Sequence, residues 1–326
     1  MSTDADGNVE LSADLLQLLR NVAPQKICLA CSGGSDSMAL ASLLSADKSL
    51  RASLHLLHFD HGMRGKKSRE DGEFVGRFSR SMGLAISIGK RSEVTAAGHG
   101  EDYLRRCRFQ FFHGEMRRLG TPYLLTAHHR DDVLETFLLR LSRGAGLDGL
   151  VALRSIENRR DGLIYVRPLL NFSKSQLRRY LLARGIPWRE DESNGTDDYL
   201  RNRIRHRLMP LWKGLEPGRN FPASLLRTRA LLTEDGEALA QISRQKFHQC
   251  YGPEKNILRA AELVQQPSAI LRRVLHLYFL ENFCPLERKL ADYLCEKLAA
   301  GKSFQATVNK NLTAIFSGEN FTLEKK

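Results

Sequence analysis

The chain has few of the features that mark membrane proteins or disulfide-rich secreted proteins. Its 326 residues include six cysteines, too few to suggest a disulfide framework at this length. No apolar run approaches the roughly 20 residues that span a bilayer. The acidic segment Met1–Asp6 lacks the basic and then apolar pattern of a secretion signal. We therefore expect a cytoplasmic protein with no membrane partner.

Acidic residues are few in comparison with basic ones. The chain has 37 Asp and Glu against 50 Lys and Arg, which gives a formal net charge of +13. Such an excess favours a polyanionic partner. Because no basic amphipathic helix with an aromatic face is apparent, nucleic acid is favoured over a membrane surface. A charged surface that only keeps the protein in solution is the alternative.

The order of the apolar segments predicts an α/β fold. Strand-like and helix-like segments alternate up to about residue 184, which predicts a doubly wound, mostly parallel sheet with helices on both faces. The predicted strands are 27–30, 54–59, 84–88, 123–127 and 163–166, and the predicted helices are 11–22, 38–44, 69–81, 102–118, 131–141 and 173–184.

The pattern changes near residue 215, where we place a domain boundary. Beyond it we predict helices over 223–248, 256–264, 268–282 and 286–299, followed by short strands within 301–322. The chain is thus predicted to consist of a first domain, 1–215, and a smaller, mainly helical second domain, 216–326, with a short terminal β segment.

A loop of small residues follows the first predicted strand. Its glycines allow backbone amides to converge on phosphate oxygens, and the helix that follows adds a partial positive charge. Its serines supply hydroxyl groups, and its aspartate can hold Mg²⁺ on the same phosphates. No lysine follows the glycines, unlike in the P-loop of kinases and GTPases. A plain Gly-Ser turn is the alternative. The loop residues are Ser32, Gly33, Gly34, Ser35, Asp36 and Ser37.

A second group of polar residues follows the predicted strand 123–127. Asp132 and Glu135 are three residues apart and Asp131 and Glu135 four apart, so these carboxylates share one face of a helix. They could simply cap that helix and complement its dipole. The functional interpretation is a site for Mg²⁺ or an ammonium group beside the phosphate loop, with His128 at the strand end.

Three further segments have functional and structural interpretations. His58 and His61 flank an aspartate, which suggests either a metal site or, more simply, a loop that touches a nucleotide, with Arg64 on a phosphate. Arg105 and Arg108 share a helix face and could reach nucleotide phosphates or remain solvated. The arginines at every second position of 201–207 would spread around a helix, as in a segment that contacts ATP and RNA or in a plain basic linker.

Cys28 and Cys31 form a C-x-x-C pattern on the first predicted strand. Residues three apart on a strand point to opposite faces, so the pair is badly placed for a disulfide or a shared metal. We interpret both as core residues.

In order along the chain, these segments resemble the bacterial tRNA(Ile)-lysidine synthetases, a family of PP-loop ATP-pyrophosphatases. The resemblance covers roughly residues 25–212. Its motifs are the SGGSDS loop at 32–37, AHHRDDVLET at 127–136, GLDGL at 146–150, RPLL at 167–170, DESN at 191–194, and RNRIR at 201–205 leading to Pro210. Met63, Leu104 and Phe109 replace similar residues of the family pattern, and Val133 replaces a frequent glutamine.

The resemblance implies a two-step ligase that uses ATP and Mg²⁺. ATP adenylates the oxygen on carbon 2 of the wobble cytidine in an isoleucine tRNA with a CAU anticodon, and pyrophosphate leaves. The amine of free L-lysine then attacks that carbon and expels AMP, which forms lysidine. The first domain would bind ATP and catalyse both steps, and the second would bind the tRNA. Family members also suggest a homodimer.

The resemblance also implies residue roles. ATP would be bound by the loop residues 32–37 together with His58, Arg105 and Arg108, with Mg²⁺ held by Asp36 through ATP. Asp36, Asp132 and Glu135 would be catalytic. Cytidine and lysine would be bound by His128, Asp131, Asp132, Glu135, Arg201 and Arg205.

Two alternatives stay open at this point. One is another PP-loop enzyme that thiolates a tRNA base, although no suitable cysteine pair is apparent near the site. The other is a tRNA-binding protein with a vestigial ATP site, against which the intact Asp36, Asp132 and Glu135 argue.

Overall fold

The computed structural model describes residues 9–62, 66–91, 100–159, 161–190, 200–215, 220–252 and 256–325. The chain divides into two compact units, one ending at Arg227 and the other beginning at Thr228. The division falls inside a helix, Phe221–Cys250 (α11). The two units are described separately.

The first unit is built on a six-stranded sheet. Its strands lie in the order β3-β2-β1-β4-β6-β5. Every neighbouring pair is parallel except β5 and β6, which are antiparallel. The predicted mostly parallel sheet is confirmed. The strands are β1 (Ile27–Ala30), β2 (Leu54–Asp60), β3 (Ala85–Lys90), β4 (Tyr123–Leu125), β5 (Ile156–Asn158) and β6 (Ile164–Val166).

Helices connect these strands and follow them. A short π-helical segment, Ile204–Leu208, joins the last two helices of the unit. The helices are α1 (Ala13–Val22), α2 (Ser35–Ser45), α3 (Lys48–Ser53), α4 (Lys66–Ser81), α5 (Glu101–Arg118), α6 (Arg130–Leu141), α7 (Leu147–Leu150), α8 (Lys174–Ala183), α9 (Leu200–Arg203) and α10 (Met209–Gly214). The sequence analysis missed the short helices α3, α7, α9 and α10 and the antiparallel edge strand β5.

The core of this unit lies on both faces of the sheet. Leu29 and Leu56 pack in one hydrophobic cluster with residues of α2 and α8, whereas Leu57 and Leu124 pack in another with residues of α5. Successive residues of a strand point to opposite faces, so each strand supplies both clusters. Cys28 and Cys31 are buried, unbonded and in different clusters, which confirms that they are core residues. Helices on both faces make the unit a doubly wound α/β fold.

The strand order reverses direction between β1 and β4, the two central strands. From β1 the chain moves outward through β2 to β3, and it then returns to the other side of β1 as β4. The connections that follow β1 and β4 therefore lead away in opposite directions and leave a crevice at the carboxyl ends of these strands. In doubly wound folds such a crevice is the usual ligand site.

The second unit combines helices with a five-stranded sheet in the order β7-β8-β11-β10-β9. After the remainder of α11 come α12 (Ser268–Glu281) and α13 (Arg288–Ala299). The strands are β7 (Tyr251–Gly252), β8 (Ile257–Arg259), β9 (Phe304–Asn309), β10 (Leu312–Phe316) and β11 (Asn320–Lys325). The unit therefore contains more β structure than the short terminal segment predicted for it.

The helix predicted over 256–264 is wrong, because Ile257–Arg259 form strand β8. Asn256 has φ +48°, a left-handed conformation that an α-helix cannot contain. Leu258 pairs with Phe321 of the antiparallel strand β11, and both are fully buried. The free energy gained from this non-local strand pairing outweighs the local preference of these residues for a helix.

Among the residues that the structure describes, no helix is long and apolar enough to cross a membrane.

We expect Gly89→Ala to destabilise the first unit. A Cβ at Gly89 of β3 would lie 2.5 Å from the Phe111 ring of α5, so the ring or the helix must shift. Overpacking of this kind costs about 2 kcal/mol. Gly114→Ala is the control, because it lies in α5 itself with open space around it and should stabilise the helix by about 0.5–1 kcal/mol. Urea unfolding of the two variants measures both effects, and equal midpoints would contradict this packing.

Candidate functional site

The loop 32–37 links β1 to α2 through a backbone that requires glycine. Gly33 has φ +88°, and a Cβ there would lie 3.1 Å from the side chain of Val75. The carbonyl of Gly33 accepts a hydrogen bond from the amide of Arg189 at 2.9 Å. Gly34 precedes the first residue of α2, so the loop passes directly into the helix N-terminus. The loop therefore has the strand–loop–helix geometry that a phosphate cradle requires.

The serines of the loop differ in exposure. Ser37 is buried, and its hydroxyl accepts a hydrogen bond from the amide of Ser32 at 3.2 Å and donates one to the carbonyl of Gly34 at 3.0 Å. Ser35 is also buried and donates to Asp36 at 2.9 Å. Ser32 is exposed. Ser35 and Ser37 therefore shape the loop, and Ser32 has the hydroxyl best placed to meet a ligand.

His129, which the sequence analysis did not select, lies at the centre of the site. It is the residue before α6, and its side chain is 4% exposed. Its Nε2 lies 3.5 Å from Asp36 and 3.6 Å from Asp132, and its Nδ1 lies 3.7 Å from Asp131. One imidazole thus joins the phosphate loop to the carboxylates of the second motif. The signal available in the sequence was only its place beside His128 at the strand end.

The ionisable groups of this cluster shift one another's pKa values towards the charged forms. Burial by itself would lower the pKa of His129, but the hydrogen bond to Asp36 and the charges of Asp132, Asp36 and Asp131 raise it above its ordinary value. Burial by itself would raise the pKa of Asp36 and of Asp132. The charge of His129 lowers both, with help from Lys174 at Asp36 and from Arg201 at Asp132, and each carboxyl has a pKa below its ordinary value. The carboxylates therefore favour the charged form of this imidazole, and the imidazole favours the charged forms of Asp36 and Asp132.

Lys174 is the second residue of the site that sequence reasoning missed. It begins α8, and its backbone amide donates to Asp131 at 2.8 Å. Its Nζ lies 3.9 Å from the carboxylate of Asp36. No feature of the local sequence indicates this role, because Lys174 and Asp36 are brought together only by the parallel order of β1, β4 and β6.

Asp132 and Glu135 are paired with two arginines from the segment 200–208. Arg201 donates to Asp132 at 2.8 Å and to Glu135 at 3.0 Å, which confirms that the two carboxylates share a helix face. Arg205 donates to both oxygens of Glu135, at 2.6 and 2.9 Å. Glu135 is 2% exposed. In this structure the arginines therefore occupy the carboxylates that were predicted to meet Mg²⁺ or an ammonium group.

The other arginines of this segment lie at the surface of the protein. Arg203 and Arg207 are exposed, whereas Arg201 and Arg205 are partly buried. The predicted spread of arginines around the helical segment is confirmed, with one pair directed at α6.

The two histidines predicted in the site are held in hydrogen bonds. His58, at the end of β2, is 4% exposed and its Nδ1 lies 2.9 Å from the carbonyl of Cys31. His128 Nδ1 lies 2.9 Å from the hydroxyl of Thr126. Burial, and secondarily the charges of Arg167, Arg201 and Arg105, lower the pKa of His128 to about 4, despite an opposing effect of Asp132. His128 is therefore neutral at neutral pH.

Arg105 and Arg108 lie against the same aromatic ring of α5. Their Cζ atoms are 4.7 Å and 5.7 Å from the centre of the Phe109 ring. Arg105 is exposed and close enough to His128 to help lower its pKa. Arg105 therefore lies in the neighbourhood of His128, at the strand end that precedes α6.

Some predicted residues lie outside the described part of the chain. These are Met63, Arg64 and the segment 191–194.

The chemistry of the site suits phosphates that bring a magnesium ion with them. The Asp36 side chain is 25% exposed at the start of α2, beside the phosphate cradle. Within the described ranges, no three His, Cys, Asp or Glu side chains are arranged to hold a metal by themselves. Mg²⁺ ordinarily binds through one or two carboxylates together with substrate phosphates. The donor set fits that mode, with Asp36 as the carboxylate.

Residues 8–212 match the family model of the PP-loop domain. The chain belongs to the PP-loop family. The match covers the sheet, the loop and both motifs that meet at His129, so the family assignment rests on the part of the chain that forms the site.

Several curated relatives are tRNA(Ile)-lysidine synthases. The chain is 38% identical over 221 residues to the one from Geobacter sulfurreducens, which covers 67% of this chain and 46% of the relative. It is 42% identical over 195 residues to the one from Exiguobacterium sibiricum, which covers 60% of this chain and 45% of the relative. The chain thus spans about half the length of these relatives.

A similar solved structure is the U34-tRNA thiolase NcsA from Methanococcus maripaludis with its [4Fe-4S] cluster. The TM-score is 0.52 at 16% identity, over 68% of this chain and 78% of NcsA. At this identity the likeness concerns the fold alone.

We expect Glu135→Gln to destabilise the first unit by about 2 kcal/mol, because two arginines lose a buried anionic partner. The cost is lower than for fully buried pairs, since Arg201 and Arg205 side chains are 33% and 27% exposed. Glu190→Gln is the control. Its side chain is 63% exposed and pairs with Arg178, which is 39% exposed, so its loss should cost under about 1 kcal/mol. Equal shifts of the urea midpoint would refute the difference.

The His129 cluster predicts a loss of stability in alkali. A histidine with a raised folded pKa stabilises the protein fully below its unfolded value, here 6.5, and this contribution disappears as pH rises through the folded value. His129→Gln should therefore flatten the fall in unfolding free energy as the pH rises above about 6.5. The exposed His248→Gln is the control and should leave the profile unchanged. If the unfolding free energies of the wild type and His129→Gln changed in parallel with pH, the raised pKa of His129 would be contradicted.

Proposed function

We propose that the protein joins lysine to the wobble cytidine of an isoleucine tRNA with a CAU anticodon, at the expense of ATP. The observation that carries this proposal is the convergence of the phosphate loop and the Asp132–Glu135 pair on one histidine. That convergence occurs in a chain 38% identical, over two thirds of its length, to a tRNA(Ile)-lysidine synthase. The site would bring an activating nucleotide and a nucleophilic amine to the same place.

The loop would serve the first step. The amides around Gly33 and the N-terminus of α2 would stabilise negative charge on the leaving pyrophosphate, a form of transition-state stabilisation. Asp36 would hold Mg²⁺ on the phosphates, and the ion would add further positive charge there. Arg105 would approach the nucleotide from the side of His128, and Arg108 would act beside it. His58 would keep the end of β2 in place through its hydrogen bond to Cys31.

The carboxylates would serve the second step. The ε-ammonium of free lysine would bind to Asp132 and Glu135, with Asp131 nearby, and would lose its proton there before the amine attacks carbon 2. Arg201 and Arg205 now occupy those carboxylates, so we propose that they turn towards the substrate or its phosphates when lysine enters. His128, neutral and beside Asp132, would offer the cytidine a hydrogen-bonding group.

The remaining assignments are also proposals. A basic protein with a net charge of +13 is suited to the phosphates of a tRNA, and such contacts weaken as salt rises. Residues 216–326 would form the second, tRNA-binding domain. The cytoplasmic location and the homodimer stay predictions.

Base thiolation, the first alternative, has little support from the cysteines. Burial is the main cause of raised pKa values at five of the six thiols, including Cys28 at about 12 and Cys31 at about 11. Such thiols are protonated at neutral pH and react slowly. Cys107 is partly exposed and stands by itself on α5.

The test is incorporation of labelled lysine into a transcript of the isoleucine tRNA with a CAU anticodon. We expect incorporation to require ATP and Mg²⁺ and to be abolished by Asp36→Asn. A transcript with uridine at the wobble position is the matched substrate control and should accept no lysine.

Each result separates the candidate functions. Release of pyrophosphate without lysine incorporation would refute the second step and favour another nucleophile. A sulfur nucleophile would then be the first candidate. Binding of tRNA without any release of pyrophosphate would refute the enzyme and favour a tRNA-binding protein with a vestigial ATP site.

A further inference from the structure

The phosphate loop lies between helix α4 and the segment 186–190, which we call the strap. On one side, a Cβ at Gly33 would lie 3.1 Å from the side chain of Val75 in α4. On the other side, the amide of Arg189 donates a hydrogen bond to the carbonyl of Gly33 at 2.9 Å. The carbonyl of Arg189 lies 3.9 Å from the position that a Cβ would have at Gly34. The strap therefore runs beside the backbone of both loop glycines.

The hydrogen bond from Arg189 sets the direction of one peptide group of the loop. The carbonyl of Gly33 and the amide of Gly34 belong to the same peptide group, and in a trans peptide they point in opposite directions. Because the strap holds the carbonyl, the amide points away from the strap. There it donates a hydrogen bond of 3.3 Å to the hydroxyl of the exposed Ser32. That bond is long, so a phosphate oxygen can replace it.

This peptide group needs an external contact to keep its direction. Gly33 and Gly34 have no Cβ, so the peptide between them can turn over with little steric resistance. In the reversed direction the carbonyl of Gly33 would face the phosphate oxygens and repel them. The amide of Arg189 supplies the contact that favours the other direction.

The side chain of Arg189 fastens the strap to α4. Its Nη2 lies 3.4 Å from the carboxylate of Glu70, and its Nε lies 3.3 Å from that of Asp71. Its Cζ lies 5.6 Å from the centre of the Phe74 ring. The side chain of Asp71 is 16% exposed, so this ion pair is better shielded from water than a pair at the open surface. These contacts direct the guanidinium towards α4.

The strap is also fastened to α8. Arg178 donates to both carboxylate oxygens of Glu190 at 2.8 Å, and the indole of Trp188 donates to the same carboxylate at 2.9 Å. Trp188 also packs against the hydrophobic core of the first unit. Loss of the Arg189 side chain would therefore release the strap from α4 and leave it attached to α8.

We infer that Arg189 is a positioning residue of the phosphate loop. Its side chain holds the strap on α4, and its backbone amide keeps the Gly33–Gly34 peptide in the direction that offers the Gly34 amide to an anionic oxygen. Arg189 acts through the loop and not by contact with the ligand. This inference rests on the proposed use of ATP but not on the identity of the nucleophile.

The first test measures binding of inorganic pyrophosphate to the full chain by titration calorimetry, with Mg²⁺ present. Arg189→Met keeps an apolar stem against Phe74 but removes both ion pairs. We expect it to bind pyrophosphate about tenfold more weakly, the effect of losing one hydrogen bond to a charged oxygen. Arg189→Lys keeps a cation for Asp71 and should recover part of the affinity.

Arg184→Met is the matched control. Arg184 is exposed, and its Cζ lies 4.0 Å from the centre of the Tyr180 ring. The variant thus loses the same charge from a stacked arginine near the strap, and it should bind pyrophosphate like the wild type. Equal losses of affinity in Arg184→Met and Arg189→Met would reduce the effect to net charge and overturn the inference.

The second test observes the peptide group directly, by amide NMR of protein prepared with isotope-labelled glycine. Without ligand, the Gly34 resonance should shift or broaden in Arg189→Met, whereas the resonance of Gly120, after α5, should stay as in the wild type. An unchanged Gly34 resonance would show that the strap does not set its direction. Equal changes at Gly34 and Gly120 would show a general loss of structure. Either result would overturn the inference.

The inference and the proposed function can fail separately. If pyrophosphate binding depends on Arg189 while no lysine enters the tRNA, the inference stands and the proposed function fails. If lysine enters the tRNA while Arg189→Met binds pyrophosphate like the wild type, the proposed function stands and the inference fails.

Discussion

The site depends on the contacts of one buried imidazole with three carboxylates. Asp36, Asp131 and Asp132 come from the first turns of two helices, and without His129 they would face one another across a few ångströms in a partly buried space. Mutual repulsion would then separate α2 from α6. A protonated imidazole reduces that repulsion, and the carboxylates in turn raise its pKa, so the two helix N-termini can lie close together.

Charge pairing of the same kind involves three further residues, Lys174, Arg201 and Arg205. Each places a cation on a carboxylate of the cluster, but the cations differ in how firmly they are held. Arg205 makes two hydrogen bonds to Glu135, whereas Lys174 makes a single long contact to Asp36. The carboxylates that we propose for a metal or an ammonium group are thus compensated by the protein's own cations. In the proposed function, substrate cations would displace these protein cations, and substrate anions would accept them in exchange.

Much of this arrangement follows from local sequence. The alternation of apolar runs predicted the parallel sheet, and the glycine pattern of residues 32–37 predicted a phosphate cradle, because both depend on the conformations of neighbouring residues. The spacing of Asp132 and Glu135 likewise predicted their shared face. The prediction failed where distant pairing decided the outcome, as at Ile257–Arg259, where a helix-like pattern became a strand against β11. His129 was missed for a related reason, since its sequence neighbours suggested only that His128 lay at a strand end.

By itself, the sequence determined most of the strands and longer helices of the first unit, where the loop 32–37 begins, and which carboxylates share one face of α6. These properties arise from contacts within a few residues. Only the tertiary structure decided that His129 stands among three aspartates, that Arg201 and Arg205 close over Glu135, and that Lys174 reaches Asp36 across 138 positions of chain. Those contacts follow from the strand order β1-β4-β6, which brings three helix N-termini to one edge of the sheet. Strand order is set by the burial of both sheet faces together, and no short segment of the chain encodes it.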